Sequence, residues 1–110
     1  MVGGTAEFSK WEGLTFDEDS ATFYTAISSL QKGMSDTDTS FNKAQDNIKV
    51  KENTCGCIYE MLTFSSPDTE YDINEMKVTL CGEPIEKDER GNQCALDGIA
   101  NPDNCVIVQG

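Results

Sequence analysis

Residues 57–81, CIYEMLTFSSPDTEYDINEMKVTLC, decide how the rest of this chain is read. Two runs in it, 58–64 and 76–80, have the composition of strands, and the turn-forming Ser65-Ser66-Pro67-Asp68-Thr69 separates them. Met76, Val78 and Leu80 alternate with Lys77 and Thr79, which predicts a half-buried strand with one apolar face. In the first run Ile58, Leu62 and Phe64 share a face while Tyr59 and Met61 take the other, the pattern of a strand covered on both sides. The stretch reads as an antiparallel pair with cysteines at its ends.

On the N-terminal side of that pair, Phe8, Trp11 and Leu14 recur at helical spacing, so a short helix or turn is expected over 6–14, packing Trp11 onto the core. Asp17, Glu18 and Asp19 follow as an acidic loop. Residues 20–32 carry two periods at once. Phe23, Ile27, Leu30 and Met34 fit a helix that would end at Lys32-Gly33. Thr22, Phe23, Tyr24, Thr25 and Ile27 are strand-preferring types, with Phe23, Thr25 and Ile27 alternating, and the strand is the reading adopted. The polar run GMSDTDTS, 33–40, is a loop whose Asp36 and Asp38 lack the Gly and closing Glu of a calcium loop. Ile48 and Val50 alternate with polar neighbours over 45–51, as in a further strand.

On the C-terminal side, Gly82-Glu83-Pro84 ends the second run, 85–92 is charged with Gly91-Asn92 as a turn signal, and 93–103, with Gly98 and Pro102, is expected to be largely loop with at most one short strand. Val106-Ile107-Val108 reads as a short terminal strand fixed by Cys105. There is no internal repeat and no low-complexity linker. The 110 residues form one domain, 1–110, which at this size buries only about two thirds of its unfolded surface. Reinforcement by disulfides is therefore expected.

The chain has five cysteines: Cys55, Cys57, Cys81, Cys94 and Cys105. In extended backbone Cys55 and Cys57 put both sulfurs on one side and do not bridge each other comfortably, so they should serve different partners among the remaining three. The odd thiol stays free, links two chains into a disulfide-bonded dimer, or belongs with a missing partner segment. Neither a C-x-x-C pair nor a histidine is present, so no metal is expected. No cofactor is expected either.

Twenty acidic residues against eight basic ones give a net charge of −12, which argues against nucleic-acid phosphate contacts and favours cationic partners. Solvated acidic surface is the ordinary meaning of such a charge. Without histidine no unperturbed side chain titrates near neutrality, which argues against general acid–base catalysis and against an enzyme. No apolar run approaches the ~18 residues of a membrane span, and Met1-Val2-Gly3-Gly4 lacks the regions of a signal peptide, so the chain is read as a mature secreted domain with an added initiator.

Trp11, Phe23, Tyr24, Tyr59 and Tyr71 are candidates to line a pocket, although aromatics at strand spacing usually form core. An acid beside aromatic faces holds a cationic amine by ion pairing and cation–π attraction. Asp17, Glu60 and Glu70 are the candidate acids. The candidate ligand-binding residues are Trp11, Asp17, Phe23, Tyr24, Tyr59 and Glu60.

The running order of Trp11-Glu12-Gly13-Leu14, Asp17, Phe23-Tyr24, YEMLTF, SSPDTEYD, NEMKVTL and Asp103-Asn104-Cys105-Val106-Ile107-Val108 resembles the tick salivary lipocalins of the histamine-binding group. That resemblance implies a secreted all-β fold, an antiparallel barrel or partly open barrel, that sequesters a small host mediator such as a biogenic amine or lipid mediator. The family continues through further strands and a terminal helix, and a closed barrel usually needs about eight strands. Only six or seven short ones are counted here, so an alternative is a surface that binds a host protein. The layout of Gly3-Gly4, a helix across 20–32, then 47–64 and 76–80, is similar to cystatins, an α+β fold with one helix on an antiparallel sheet. Glu52-Asn53-Thr54-Cys55-Gly56 stands where that family places its protease-inserting hairpin, without the Gln and Val of its Q-x-V-x-G motif. A pilin-like structural subunit is a third alternative.

Overall fold

The computed structural model describes residues 8–36, 48–65 and 72–108. Strands β1 (Trp11–Asp17), β2 (Thr22–Ile27), β3 (Cys57–Phe64) and β4 (Asp72–Cys81) pair in that order into one antiparallel sheet. The fold is all-β, as the 57–81 stretch indicates. The sheet ends in two edges, β1 and β4, and is not closed into a barrel. Its shallowness, 15 Å along the shortest axis, is that of a slab.

Residues 20–32 resolve in favour of the strand because β2 has ladder partners on both sides, Thr25 lying opposite both Leu14 and Tyr59. The helix of a cystatin-like fold does not form there. Among the described residues the only helical element is a 3-10 turn, Lys32–Met34.

Three local expectations are corrected. The helix expected to include Trp11 and Leu14 is replaced by β1, because pairing with β2 overrides an i, i+3 spacing carried by only three side chains; Ala6 and Glu7 lie outside the described residues. Trp11 remains 40 % exposed and meets Phe8 edge-on at 4.6 Å. The terminal strand over Val106-Ile107-Val108 does not form, and Cys105 is a free thiol that fixes nothing. Alternation alone makes no strand without a partner edge, and the nearest edge is met once, where Gly13 N–H donates to the Asp103 carbonyl at 2.7 Å. Of the strand expected over 45–51, residues 45–47 lie outside the described residues, and Val50 makes only an isolated bridge to Ser35.

The registers assign each side chain to a face, since residues directly opposite point the same way. The inner face carries Phe16, Phe23, Thr25, Ile27, Met61, Tyr59, Cys57, Met76 and Val78. The outer face carries Asp17, Thr15, Tyr24, Ala26, Leu62, Glu60, Ile58, Lys77 and Leu80. A register shift in β4 sets Val78 opposite Tyr59 but Leu80 opposite Ile58. Val78 and Leu80 therefore lie on opposite faces, and the single apolar stripe read from their spacing is split by a bulge.

Ile27, Leu30, Met34, Cys57 and Tyr59 form the buried core on the inner face, with Phe8, Ile48, Val50 and Met76 packed against it. Two disulfides are present, Cys55–Cys94 and Cys57–Cys81. Cys55 and Cys57 thus take different partners, as their spacing predicts. Gly56 between them has φ +78, and an added Cβ would stand 2.5 Å from the carbonyl oxygens of Ile27 and Ser28. Only glycine fits a left-handed turn pressed so closely against backbone.

Candidate functional site

The inner face is covered by two stretches of chain that clip to each other. Leu30 N–H donates to Asn53 O at 2.8 Å and Asn53 N–H returns a bond to Leu30 O at 3.0 Å; further along, Val50 N–H donates to Met34 O at 2.9 Å and Asp36 N–H to Val50 O at 2.8 Å. Lys32, with φ 52, turns the first stretch back so that Ser35 N–H reaches Lys32 O at 2.9 Å. Ser9 ties this cover to the N-terminal stretch, its hydroxyl donating to Ser29 O at 2.8 Å and accepting from Gln31 N–H at 3.2 Å. These bonds hold the two stretches together, and their apolar side chains Leu30, Met34, Ile48 and Val50 pack against Ile27, Cys57 and Tyr59 of the sheet.

Between this cover and β4 runs an open groove of about 640 Å³. Leu30, Val50, Tyr59 and Val78 give it apolar walls, the Cys57–Cys81 disulfide closes one end beside Pro84, and Lys51, Glu52 and Asn53 form its polar rim. Asn53 holds that rim in place: its side-chain oxygen accepts from Cys55 N–H at 2.9 Å and its amide donates to Gly82 O at 2.9 Å. A smaller hollow of about 340 Å³ adjoins the groove, sharing Val50 and Tyr59 and continuing over Phe8, Met34, Ile48 and Met76. Burial pushes the Tyr59 phenol above its ordinary range, so at neutral pH it is an uncharged hydroxyl at the junction of the two.

Of the six binding residues picked from sequence, the sheet places Trp11, Phe23 and Tyr59 on the inner face and Asp17, Tyr24 and Glu60 on the outer. No single pocket unites them. Only Tyr59 borders the groove. Phe23 packs on Phe16 with ring centroids 4.5 Å apart. The Asp17 carboxylate is engaged in the β1–β2 turn, accepting from the Ser20 hydroxyl at 2.6 Å and Asp19 N–H at 3.2 Å. Glu60 lies in the ladder between Tyr24 and Lys77. Tyr24 also borders a hollow of about 330 Å³ with Ile58, Ile99, Ile107 and Cys105, where burial raises the Cys105 thiol above its ordinary range.

Sequence reasoning missed Leu30, Val50, Lys51 and Asn53 as a wall. The alternation of Ile48 and Val50 is the available signal, and locally it reads as a strand, whereas Val50 makes only an isolated bridge to Ser35 within the cover. Chemically the groove can bind and orient. No histidine exists in the chain, and among the described residues no group of three or more His, Cys, Asp or Glu side chains could hold a metal ion. Among the same residues no helix is long and apolar enough to cross a membrane. No protein-family model, curated protein or solved structure matches this chain.

Proposed function

We propose that this chain is a secreted, non-catalytic binding protein that sequesters a small amphipathic ligand in the inner-face groove. The groove itself carries the reading: its volume of about 640 Å³ lies within the usual range for small-molecule sites, with apolar walls and a few polar groups at one rim. The ligand's apolar body lies along Leu30, Val50, Tyr59 and Val78, and its polar head meets Lys51, Glu52 and Asn53. A net charge of −12 raises the local concentration of cationic amphiphiles over anionic ones, which favours amines as the class. The two disulfides support an oxidising, extracellular setting. The up-and-down order β1-β2-β3-β4 is the connectivity of an up-and-down barrel, which supports the lipocalin-like reading, with the ligand in an open groove instead of an enclosed cavity.

Native mass spectrometry against a panel of aromatic amines, long-chain amines and fatty acids tests the reading, with the amines expected to bind. Val78 is 55 % exposed and lines the groove, so Val78→Trp should fill the space while the fold is kept. A loss of affinity of about tenfold or more is expected, about 1.4 kcal/mol. A panel that stays unbound, or a Val78→Trp protein that binds as well as the parent, removes the groove from consideration.

A further inference from the structure

The two edges of the sheet differ in what meets them. At β1, the Gly13 N–H is taken by the Asp103 carbonyl at 2.7 Å and Ser28 N–H donates to Lys10 O at 2.9 Å. Along β4, by contrast, none of the residues from Ile73 to Cys81 has a backbone hydrogen bond outside the β3 ladder among the described residues. Apolar side chains crowd this bare edge: Ile73 is 45 % exposed, Val78 55 % and Leu80 51 %. Bare edge strands with exposed apolar side chains are what added strands pair with, and natural sheets usually blunt them with a lysine or bulges. Both devices are weakened here. The Lys77 ammonium lies 3.7 Å from the Glu75 carboxylate, and the register shifts fall at the two ends, leaving Glu75–Val78 regular.

We infer that the free edge of β4 is a strand-addition site for an extended, positively charged segment of a partner protein. In such pairing the backbone ladder supplies affinity and alternate side chains supply selectivity. Charge decides the occupant. Asp72, Glu75, Glu83 and Glu86 lie on or just beyond β4 against Lys77 and Lys87, and a second copy of this chain would bring a further −12 against the −12 already present. A segment with lysine or arginine at alternate positions relieves that repulsion and sets its apolar side chains beside Val78 on one face or Leu80 on the other. The edge meets the groove at Val78, which lines it, whereas Leu80 and Ile73 do not, so substitutions at those two positions report on the edge alone.

The test uses the full chain with its disulfides intact and three synthetic nine-residue peptides: alternating Lys and Val, the same peptide with alternate backbone nitrogens methylated, and alternating Glu and Val. Calorimetry should show binding of the first peptide, at least tenfold weaker binding of the other two, and slowed amide exchange in β4 when the first is bound. Leu80→Lys, or Ile73→Lys should the first variant not fold, should weaken the first peptide about tenfold while leaving groove ligands unaffected. Equal affinity for the methylated peptide would reduce the interaction to charge attraction and overturn the inference. So would unchanged exchange in β4, equal binding of the Glu peptide, or no peptide binding together with a mass that doubles with concentration.

Discussion

Against the inner face the chain presses Leu30, Met34, Ile48 and Val50, whereas across the outer face it lays residues 99–107 and holds them mainly through polar groups. Asn101 is the centre of that second attachment: its N–H donates to Cys55 O at 2.7 Å, and its side-chain amide reaches Ser28 O at 2.8 Å and Thr54 O at 2.7 Å. The Cys55–Cys94 disulfide and the Gly13 to Asp103 bond complete it. Beyond Asp103 the cover shows its apolar residues to solvent, Val106 being 80 % and Val108 84 % exposed. One cover is held by burial of side chains, the other by a crosslink and a few bonds at one end. The outer cover should therefore open before the inner one, as segments with few buried apolar contacts do.

The harshest way to break this comparison is to remove the crosslink. Closing a loop with a sequence separation of 39 contributes about 4 kcal/mol in the chain-entropy model, so Cys55→Ser with Cys94→Ser should cost on that order. Hydrogen exchange should then quicken first across 99–104 while Ile27 and Leu30 stay protected. Uniform loss of protection on both faces would erase the distinction.

A gentler comparison truncates one isoleucine on each side. Ile27 is fully buried in the core and Ile107 half-buried beside Tyr24 and Ile58. Ile27→Ala should cost about 3 kcal/mol and Ile107→Ala about 1 kcal/mol or less, measured by urea unfolding. Equal costs would mean that the outer cover is core after all.

The smallest effect sharpens the picture at the tip of the 85–93 loop. The Asn92 side-chain amide, at 3.0 Å, and then its backbone N–H, at 2.8 Å, hold the Asp88 carboxyl below its ordinary range, with Arg90 N–H adding a bond at 2.9 Å. A lowered folded pKa stabilises above the unfolded value of about 3.9 and is lost as pH falls through the folded value. Below about pH 4 the amide signals of Arg90 and Asn92 should shift while those of the inner face do not. In Asp88→Ala that acid transition should vanish; its persistence would assign it to another group.

Strand identity was legible wherever a pattern of period two had a neighbour to pair with: 58–64, 76–80 and the Thr22–Ile27 core of 20–32 all became ladder. The same pattern misled at Val106-Ile107-Val108, since periodicity describes a side-chain arrangement and says nothing of an available edge. Trp11 failed for the converse reason, its helical offset being too short a run to resist pairing with β2. The candidate site was the least legible part. Phe23 and Tyr24, like Tyr59 and Glu60, are neighbours whose side chains alternate between faces, and the bulge between Trp11 and Leu14 puts Trp11 and Asp17 on opposite faces although both positions are odd. The groove wall at Leu30, Val50 and Asn53 depends on hydrogen bonds between stretches about twenty residues apart, which no local spacing encodes.

The glycine pivot between Cys55 and Cys57 also bears on how the chain matures. As the protein is made, Cys81 arrives when both earlier thiols are still unoccupied, so oxidation faces a choice between neighbours of which only Cys57 lies in the β3 ladder. Choosing Cys57 closes the β3–β4 hairpin and leaves Cys55 waiting for Cys94; choosing Cys55 would strand a thiol beneath Leu30 and displace the ladder by two residues. Only the Cys57–Cys81 bond matches the β3–β4 register, so a disulfide-shuffling catalyst should raise the yield of the native isomer when this protein is produced.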